Sequence, residues 1–218
     1  MRKAFTLSEV LITLGILGIV IAMTLPALIG KWQKVVFANK VKYAYSVISN
    51  AFLMAEQEYG DPTQWDWGSE QTYENNKRVV ETYLLPYLNT LETGRHYGNY
   101  QIAALKNGLY LMFILDGCTN PDACNPVTIN ALYIIVSTKP KTIPMQDEKR
   151  DYSREDFILR FSRSNKKLNF FHWGNFTRDG IKNHSLYGCN KNILKNKRLN
   201  CGALIFYDNW EIRDDYPR

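Results

Sequence analysis

The side chains best able to catalyse a reaction or bind a metal are three histidines and four cysteines. His96, His172 and His184 have no metal-ligand spacing to one another, and no His-Glu-x-x-His or Gly-x-Ser-x-Gly motif occurs. Cys189 and His184 could form a nucleophile pair, but Cys189 has a nearby disulfide partner in the sequence. We therefore expect no enzymatic activity, no catalytic residues and no cofactor.

The cysteines form two local pairs, Cys118 with Cys124 and Cys189 with Cys201. Neither pair has the Cys-x-x-Cys spacing of a zinc knuckle or a redox site. Four thiols permit three pairings, of which local closure of each loop is the simplest. Each such bridge would stabilise the fold by about 2–3 kcal/mol on the loop-entropy model. Reduced cysteines in the core of a cytosolic protein are the alternative.

Carboxylates in the C-terminal part could offer oxygen ligands to calcium. They are Asp116, Asp122 and the acidic segment from Asp147 to Asp156. No Asp-x-Asp-x-Asp-Gly pattern is present, so solvated loop charges are the favoured interpretation, and no metal site is expected.

Glu9 is a different kind of acidic residue, because it precedes an uncharged apolar run from Val10 to Gly30. A carboxylate at hydrocarbon depth costs about 2–3 kcal/mol on insertion scales, so it needs a cationic partner. Cleavage between Ala4 and Phe5 would create an α-amino cation four residues before Glu9, at helical spacing. That amine, from the same chain or from a neighbour, could pair with the carboxylate. A Glu9 that rests in the headgroup layer without a function is the alternative.

The apolar run is long enough to cross a membrane. Its 21 residues would extend about 31 Å as a helix, the thickness of the hydrocarbon layer. A secretory signal peptide has a shorter apolar core followed by a small-x-small cleavage site. Here the run continues through Pro26 to Lys31 without such a site, so we predict a retained transmembrane helix in the lipid bilayer.

The stretch from Arg2 to Leu11 resembles the class III signal of type IV pilins and type II secretion pseudopilins. In that family a short basic leader ends in a small residue, and the prepilin peptidase cuts before a Phe that is then N-methylated. Ala4 stands where Gly is usual, and Phe5, Glu9 and Pro26 match the family's offsets.

The resemblance implies a structural subunit, a minor pilin or pseudopilin, of a type IV pilus or type II secretion filament. Its implied partners are the prepilin peptidase, other subunits and an inner-membrane assembly platform. Glu9 would neutralise the methylated Phe5 amine of an adjacent subunit. Gly15 and Gly18 would let helices approach closely, and Pro26 would let the helix bend.

The expected organisation is a leader at residues 1–4, a transmembrane and assembly segment at 5–30, and a pilin-like head at 31–218. Lysines after the span outnumber the basic residues before it, which on its own would keep the head inside the cell. The rule weakens for long translocated domains, and paired cysteines favour an oxidising compartment. We therefore expect a single-pass inner-membrane protein with an exported head, which later joins a filament at the cell surface or in the periplasm.

The head is predicted to be α+β, with the second half of one long helix packed on an antiparallel sheet. An apolar stripe from Val41 to Tyr59 continues the helix, and Gly60-Asp61-Pro62 ends it. The pattern predicts a short helix at residues 79–87, a hairpin at 101–105 and 109–115, and a strand at 132–137. It also predicts a second hairpin at 157–161 and 168–173, and a final element at 203–207 that is helix or strand. Core or sheet positions are expected for the aromatic residues Trp65, Trp67, Trp173, Tyr187 and Trp210.

Two other functions are compatible with the sequence. The net charge of +6 would support weak DNA binding, so the head could capture DNA for uptake. A plain membrane anchor that carries an export-side domain is the other alternative. The processed N-terminus distinguishes a pilin-like subunit from such an anchor.

Overall fold

The computed structural model describes residues 6–96, 98–118, 128–139 and 147–217. The chain divides into two units, residues 1–37 and residues 38–218. Helix α1, Leu7–Tyr59, contains all of the described first unit except Thr6 and continues into the second. The apolar run and the stripe after it predict one long continuous helix, and the 53-residue α1 confirms this prediction.

The second unit is a single six-stranded sheet with helices around it. The strands are β1 Thr90–His96, β2 Tyr100–Leu105, β3 Tyr110–Cys118, β4 Thr128–Ser137, β5 Asp156–Ser162 and β6 Lys167–Phe170. All neighbours are antiparallel, and the order in the sheet is the order in the chain. The helices are α2 Tyr73–Tyr83, α3 Arg178–Asn183 and α4 Cys201–Tyr207, with short 3-10 helices at Pro62–Gln64, Leu85–Tyr87 and Lys195–Lys197. The α+β class is confirmed.

The second half of α1 packs on one face of this sheet. The rings of Phe52 and Phe161 are stacked with centroids 4.1 Å apart, and Tyr45 stacks on Phe170 at 5.5 Å. The Tyr45 hydroxyl also donates to the carbonyl of Leu168 at 3.2 Å. Aromatic pairs of this kind add to the stabilisation from burial alone. They fix the register of the helix against strands β5 and β6.

The opposite face of the sheet is covered only in part. Met112, Ile135 and Ile158 from three neighbouring strands form a buried cluster. Tyr152, from the connection between β4 and β5, and Leu199, from the segment before α4, complete it. We call this side the outer face.

The predicted β2–β3 hairpin is confirmed, and its turn shows how the Asn-Gly pair works. Gly108 takes the positive φ of 82°, which costs glycine no steric strain. The side-chain oxygen Oδ1 of Asn107 accepts a hydrogen bond from the amide of Leu109 at 3.0 Å, and this bond closes the turn.

Several boundaries differ from the predictions. The short helix lies earlier, at Tyr73–Tyr83, because Thr72 caps it by accepting from the amide of Asn75. Strand β6 ends at Phe170, so Trp173 lies outside the sheet and is 48% exposed; its prediction as a core or sheet residue was wrong. The segment 203–207, left open between helix and strand, is helical. Strand β1 and helix α3 were not predicted.

Arg150 and Asp156 form an ion pair in which both side chains are fully buried, with Nη1 and Oδ1 3.1 Å apart. Asp156 also accepts from the amide of Asp151, and Arg150 Nη2 contacts Met112 Sδ at 2.9 Å. A buried charge that loses its partner is costly, because desolvation is no longer offset. The pair therefore ties the connection before β5 to the outer face.

We predict that Arg150→Met lowers the free energy of unfolding by about 3 kcal/mol, because Asp156 is left buried without its partner. The double variant Arg150→Met/Asp156→Asn should lose less, since no charge remains. Arg154→Met is the matched control, since Arg154 is more than half exposed. Urea unfolding of the full chain in detergent, followed by tryptophan fluorescence, measures these differences. Equal free energies of unfolding for Arg150→Met and Arg154→Met would contradict the role given to the buried ion pair.

A second ion cluster joins α3 to the residues after α4. Arg178 donates to both carboxylate oxygens of Asp208 and to Asp215, and Lys182 donates to Asp215 at 2.8 Å. Hydrogen bonds from Arg178 and then Lys182 hold the pKa of the Asp215 carboxyl well below its ordinary value. Because the pKa is lower in the folded state, this stabilisation is present above the unfolded pKa and is lost as pH falls.

We predict that amide exchange in residues 208–216, corrected for its intrinsic pH dependence, accelerates as pH falls below about 4, where an unfolded aspartate is protonated. Asp215→Asn should show the faster exchange already at neutral pH. Hydrogen exchange with mass spectrometry measures both. Protection that stays constant from neutral pH to about pH 3 would contradict the role of this cluster.

Candidate assembly segment

The first part of α1 exposes an apolar surface that nothing else in the described chain covers. Large apolar side chains between Leu7 and Ile29 are 43–79% exposed. From Phe37 onwards, the same helix buries one face. This helix is the only described one that is long and apolar enough to cross a membrane, and its most apolar window has no buried residue. A surface of this kind needs lipid or other apolar helices around it.

Glu9 forms a capping box at the start of α1. Its Oε2 accepts from the Thr6 amide at 2.8 Å and from the Thr6 hydroxyl at 2.9 Å. The Glu9 amide donates back to Thr6 Oγ1 at 3.3 Å. These reciprocal bonds satisfy amides at the helix N-terminus that have no partner within the helix. The carboxylate is also placed favourably at the positive end of the helix dipole.

Thr6 is a functional residue that the sequence reasoning missed. The pattern Thr6-Leu7-Ser8-Glu9 is a Ser/Thr-x-x-Glu capping signal, and it precedes an apolar run. This signal alone predicts the hydrogen bonds between Thr6 and Glu9. Ala4 and Phe5, predicted to flank the cleavage site, lie outside the described residues.

The remaining predicted assembly residues lie along the same helix. Apart from the helix's own adjacent backbone, a Cβ added at Gly15 or Gly18 would meet no described atom within 4 Å, so no contact in the described part of the chain requires glycine there. Pro26 lies inside α1 and removes one backbone donor. Thr24, two residues earlier, donates its hydroxyl to the carbonyl of Val20 at 2.8 Å. The predicted residues therefore form a linear series about 25 Å long between Glu9 and Pro26 rather than a pocket.

Of the two predicted disulfides, Cys189–Cys201 is present, with its Cα atoms 4.8 Å apart. It joins the loop after α3 to the first residue of α4. The Cys118–Cys124 pair extends outside the described residues and stays a prediction. No group of three potential metal ligands occurs among the residues that the structure describes.

Two family models match the chain, one after the other. The prokaryotic N-terminal methylation motif matches residues 1–25, which identifies the type IV pilin and pseudopilin prepilin signal predicted from Phe5 and Glu9. A family of unknown function (DUF6613) matches residues 27–218. No curated protein and no solved structure matches the chain.

The methylation motif supports a type IV pilin-like or pseudopilin precursor, and this signal points to a structural subunit rather than an enzyme. The chain belongs to the DUF6613 family. The prepilin signal implies processing by prepilin peptidase and assembly with other pilin subunits. The apolar helix fits membrane anchoring and filament assembly.

We predict that Thr6→Val increases amide exchange at Glu9 by roughly fivefold, because the typical contribution of a capping side chain is lost. Thr6→Ser keeps the hydroxyl and should preserve the protection. NMR exchange measurements on the full chain in micelles test this, with Thr24→Val as the control, since the Thr24 hydroxyl donates to the carbonyl of Val20, away from Glu9. An unchanged rate in Thr6→Val would show that the capping box does not form.

Proposed function

We propose that this protein is a minor pilin or pseudopilin that is cut between Ala4 and Phe5, N-methylated at Phe5 and assembled into a filament through residues 5–30. The filament is a type IV pilus or a type II secretion pseudopilus, built with the inner-membrane assembly platform. Residues 1–4 are the leader that is removed, and residues 31–218 are the head.

One observation carries this proposal: Glu9 is the sole charged residue between Thr6 and Gly30, on a helix whose apolar surface is exposed. A second subunit can cover that surface, but it must then accept a carboxylate at the edge of the apolar contact. An ammonium group about 4 Å away stabilises such a carboxylate by about 4 kcal/mol at an intermediate dielectric constant. The Phe5 amine, created by cleavage, is the nearest group in the sequence that could supply it.

The capping box shapes how Glu9 would meet that amine. In the isolated chain both Thr6 groups donate to Oε2, and no bond to Oε1 involves the described residues. A carboxylate has acceptor capacity on both oxygens. Glu9 can therefore keep its helix cap while Oε1 accepts the amine of an adjacent subunit. Pairing between subunits would then leave the start of α1 intact.

The other helix positions have roles that follow from their open surroundings. No described residue outside the adjacent helix backbone lies within 4 Å of a Cβ added at Gly15 or Gly18, so close approach of a second helix is the best physical explanation for these glycines. Pro26 gives the helix a point at which it can bend during packing. The Cys189–Cys201 bridge supports an exported head, since disulfides persist in oxidising compartments.

The first test of this proposal is the intact mass of the protein extracted from its native membrane. We expect the loss of Met1–Ala4 together with a gain of about 14 Da for one methyl group. Cells that lack the prepilin peptidase should give the full, unmethylated mass. A chain from peptidase-positive cells that still carries Met1 would exclude this processing and favour a plain membrane anchor.

The second test concerns the charge of Glu9 and not the size of its side chain. We expect Glu9→Gln and Glu9→Val to insert into the membrane but to be absent from sheared filaments, because the Phe5 amine has no carboxylate to meet. Glu56→Gln is the matched control, since Glu56 is an exposed acid further along α1. Immunoblots of membrane and filament fractions provide the measurement. Normal incorporation of Glu9→Gln would contradict the pairing.

A further inference from the structure

The outer face of the sheet carries an open groove in the second unit. Two adjoining cavities of about 360 and 440 Å³ share Tyr133, Phe171 and Trp173 in their walls. We define the outer groove by these three residues together with Tyr100, Arg160 and Tyr187. Cavities of this size accommodate small ligands or one or two units of a polymer. The six residues that define the groove lie at least 70 positions beyond residue 30 in the sequence, and they play no part in the proposed assembly.

One wall of the groove is a series of aromatic rings. Tyr133 meets Phe171 edge-on at 5.4 Å, and Phe171 meets Trp173 edge-on at 5.8 Å. Tyr187 then stacks on Trp173 at 5.7 Å with 26° between the ring planes. Because Trp173 is 48% exposed, much of its large apolar surface remains available to a ligand.

The exposed Trp173 is held in place by a buried residue. Asn200 is fully buried; its Oδ1 accepts from the Trp173 amide at 2.8 Å, and its Nδ2 donates to the Trp173 carbonyl at 3.1 Å. The neighbouring Cys201 forms the bridge to Cys189. A binding surface held in advance costs less conformational entropy when the ligand arrives. Asn200 thus fixes the backbone of an exposed tryptophan in the wall of the groove.

Arg160 supplies a positive charge beside the aromatic wall. It lies on the outer face of β5, directly across from Tyr133 on β4 and Asn169 on β6. Its guanidinium is 5.8 Å from the centre of the Tyr133 ring, and it forms no ion pair with any acid among the described residues. A half-buried arginine without a carboxylate partner is suited to bind an anionic group on a ligand.

The other polar groups in the cavities can bind neutral hydroxyl groups. Asn169 borders one cavity, and Gln71 with Asp116 borders the other, where Gln71 donates to Asp116 at 3.3 Å. Burial, assisted by the charge of nearby Asp116, raises the pKa of Tyr133, so its hydroxyl stays protonated at neutral pH. Amide, phenol and carboxylate groups together provide both donors and acceptors.

We propose that the outer groove binds a saccharide chain through a carboxylated sugar unit, with the sugar ring on Trp173 and its carboxylate on Arg160. A pyranose ring presents an apolar C–H face to an aromatic ring and a hydroxyl edge to polar side chains. A strand of nucleic acid fits less well, because such sites follow the phosphates with several cations. Here Arg160 is the one arginine or lysine among the described residues that line the two cavities.

The test is calorimetric titration of the full-length protein in detergent with an oligomer of four galacturonic acid units as the probe. We expect saturable binding, with roughly tenfold weaker affinity for Arg160→Gln, the typical effect of losing a charge-assisted hydrogen bond. Trp173→Ala should weaken binding by a similar factor. Arg154→Gln, at an exposed arginine outside the groove, is the matched control and should bind as the unmodified protein does.

Three comparison ligands separate the chemistry of the site. A neutral glucose tetramer lacks the carboxylates, a short polyglutamate peptide lacks the sugar rings, and a single-stranded oligonucleotide replaces both with bases and phosphates. We expect all three to bind at least about tenfold more weakly than the galacturonate oligomer. Equal or tighter binding of any of them would overturn the proposal, as would no saturable binding of the galacturonate oligomer at millimolar concentration.

Circular dichroism of each variant shows whether a loss of affinity comes from misfolding. If Trp173→Ala does not fold, Trp173→Leu keeps an apolar side chain but removes the flat ring, and it should still lose affinity. Unchanged affinity in a folded Arg160→Gln variant would also overturn the proposal.

Discussion

The structure depends on one constraint: the first half of α1 has an apolar surface that none of the described residues buries. More than twenty residues of helix expose leucine, isoleucine, valine and methionine on all sides, while the second half of the same helix has one buried face. Membrane lipid or copies of the same helix must cover that surface. Glu9 adds a second condition, because any environment that covers the helix must also accept its carboxylate.

In the second unit, the sheet stabilises the second half of α1 through contacts that do not involve the first half of that helix. Aromatic residues of α1 pack on aromatic residues of β5 and β6. The buried ion pair fixes the connection before β5, and the disulfide joins the loop after α3 to the start of α4. The apolar half of α1 contributes no described partner to this core. The proposed assembly requires such a division, because the first half of α1 would contact other subunits while the second unit stays folded.

The features that came directly from the sequence are those with local physical signals. The apolar run, its change to a one-sided stripe and the Gly60 stop predicted α1, and the Asn107-Gly108 turn predicted the β2–β3 hairpin. Strand β1 was not predicted, because it is a solvated edge strand whose charged and small residues hide the alternation of a half-buried strand. Helix α3 has only six residues, and its local signals are the Thr177 cap, which accepts from the Gly180 amide, and the charges of Asp179 in its first turn and Lys182 in its last turn. The outer groove is a different case, because its residues are up to 87 positions apart and meet only through strand pairing and the Asn200 contacts.

The central claim, that Glu9 meets a Phe5 amine from another subunit, can be measured directly in assembled filaments. Filaments grown from a mixture of subunits labelled with ¹⁵N at Phe5 and subunits labelled with ¹³C at the Glu9 carboxylate report only contacts between chains. Solid-state NMR dipolar recoupling should place the two nuclei about 4 Å apart, the distance of an ion pair. No detectable coupling between the labels in well-ordered mixed filaments would contradict the account.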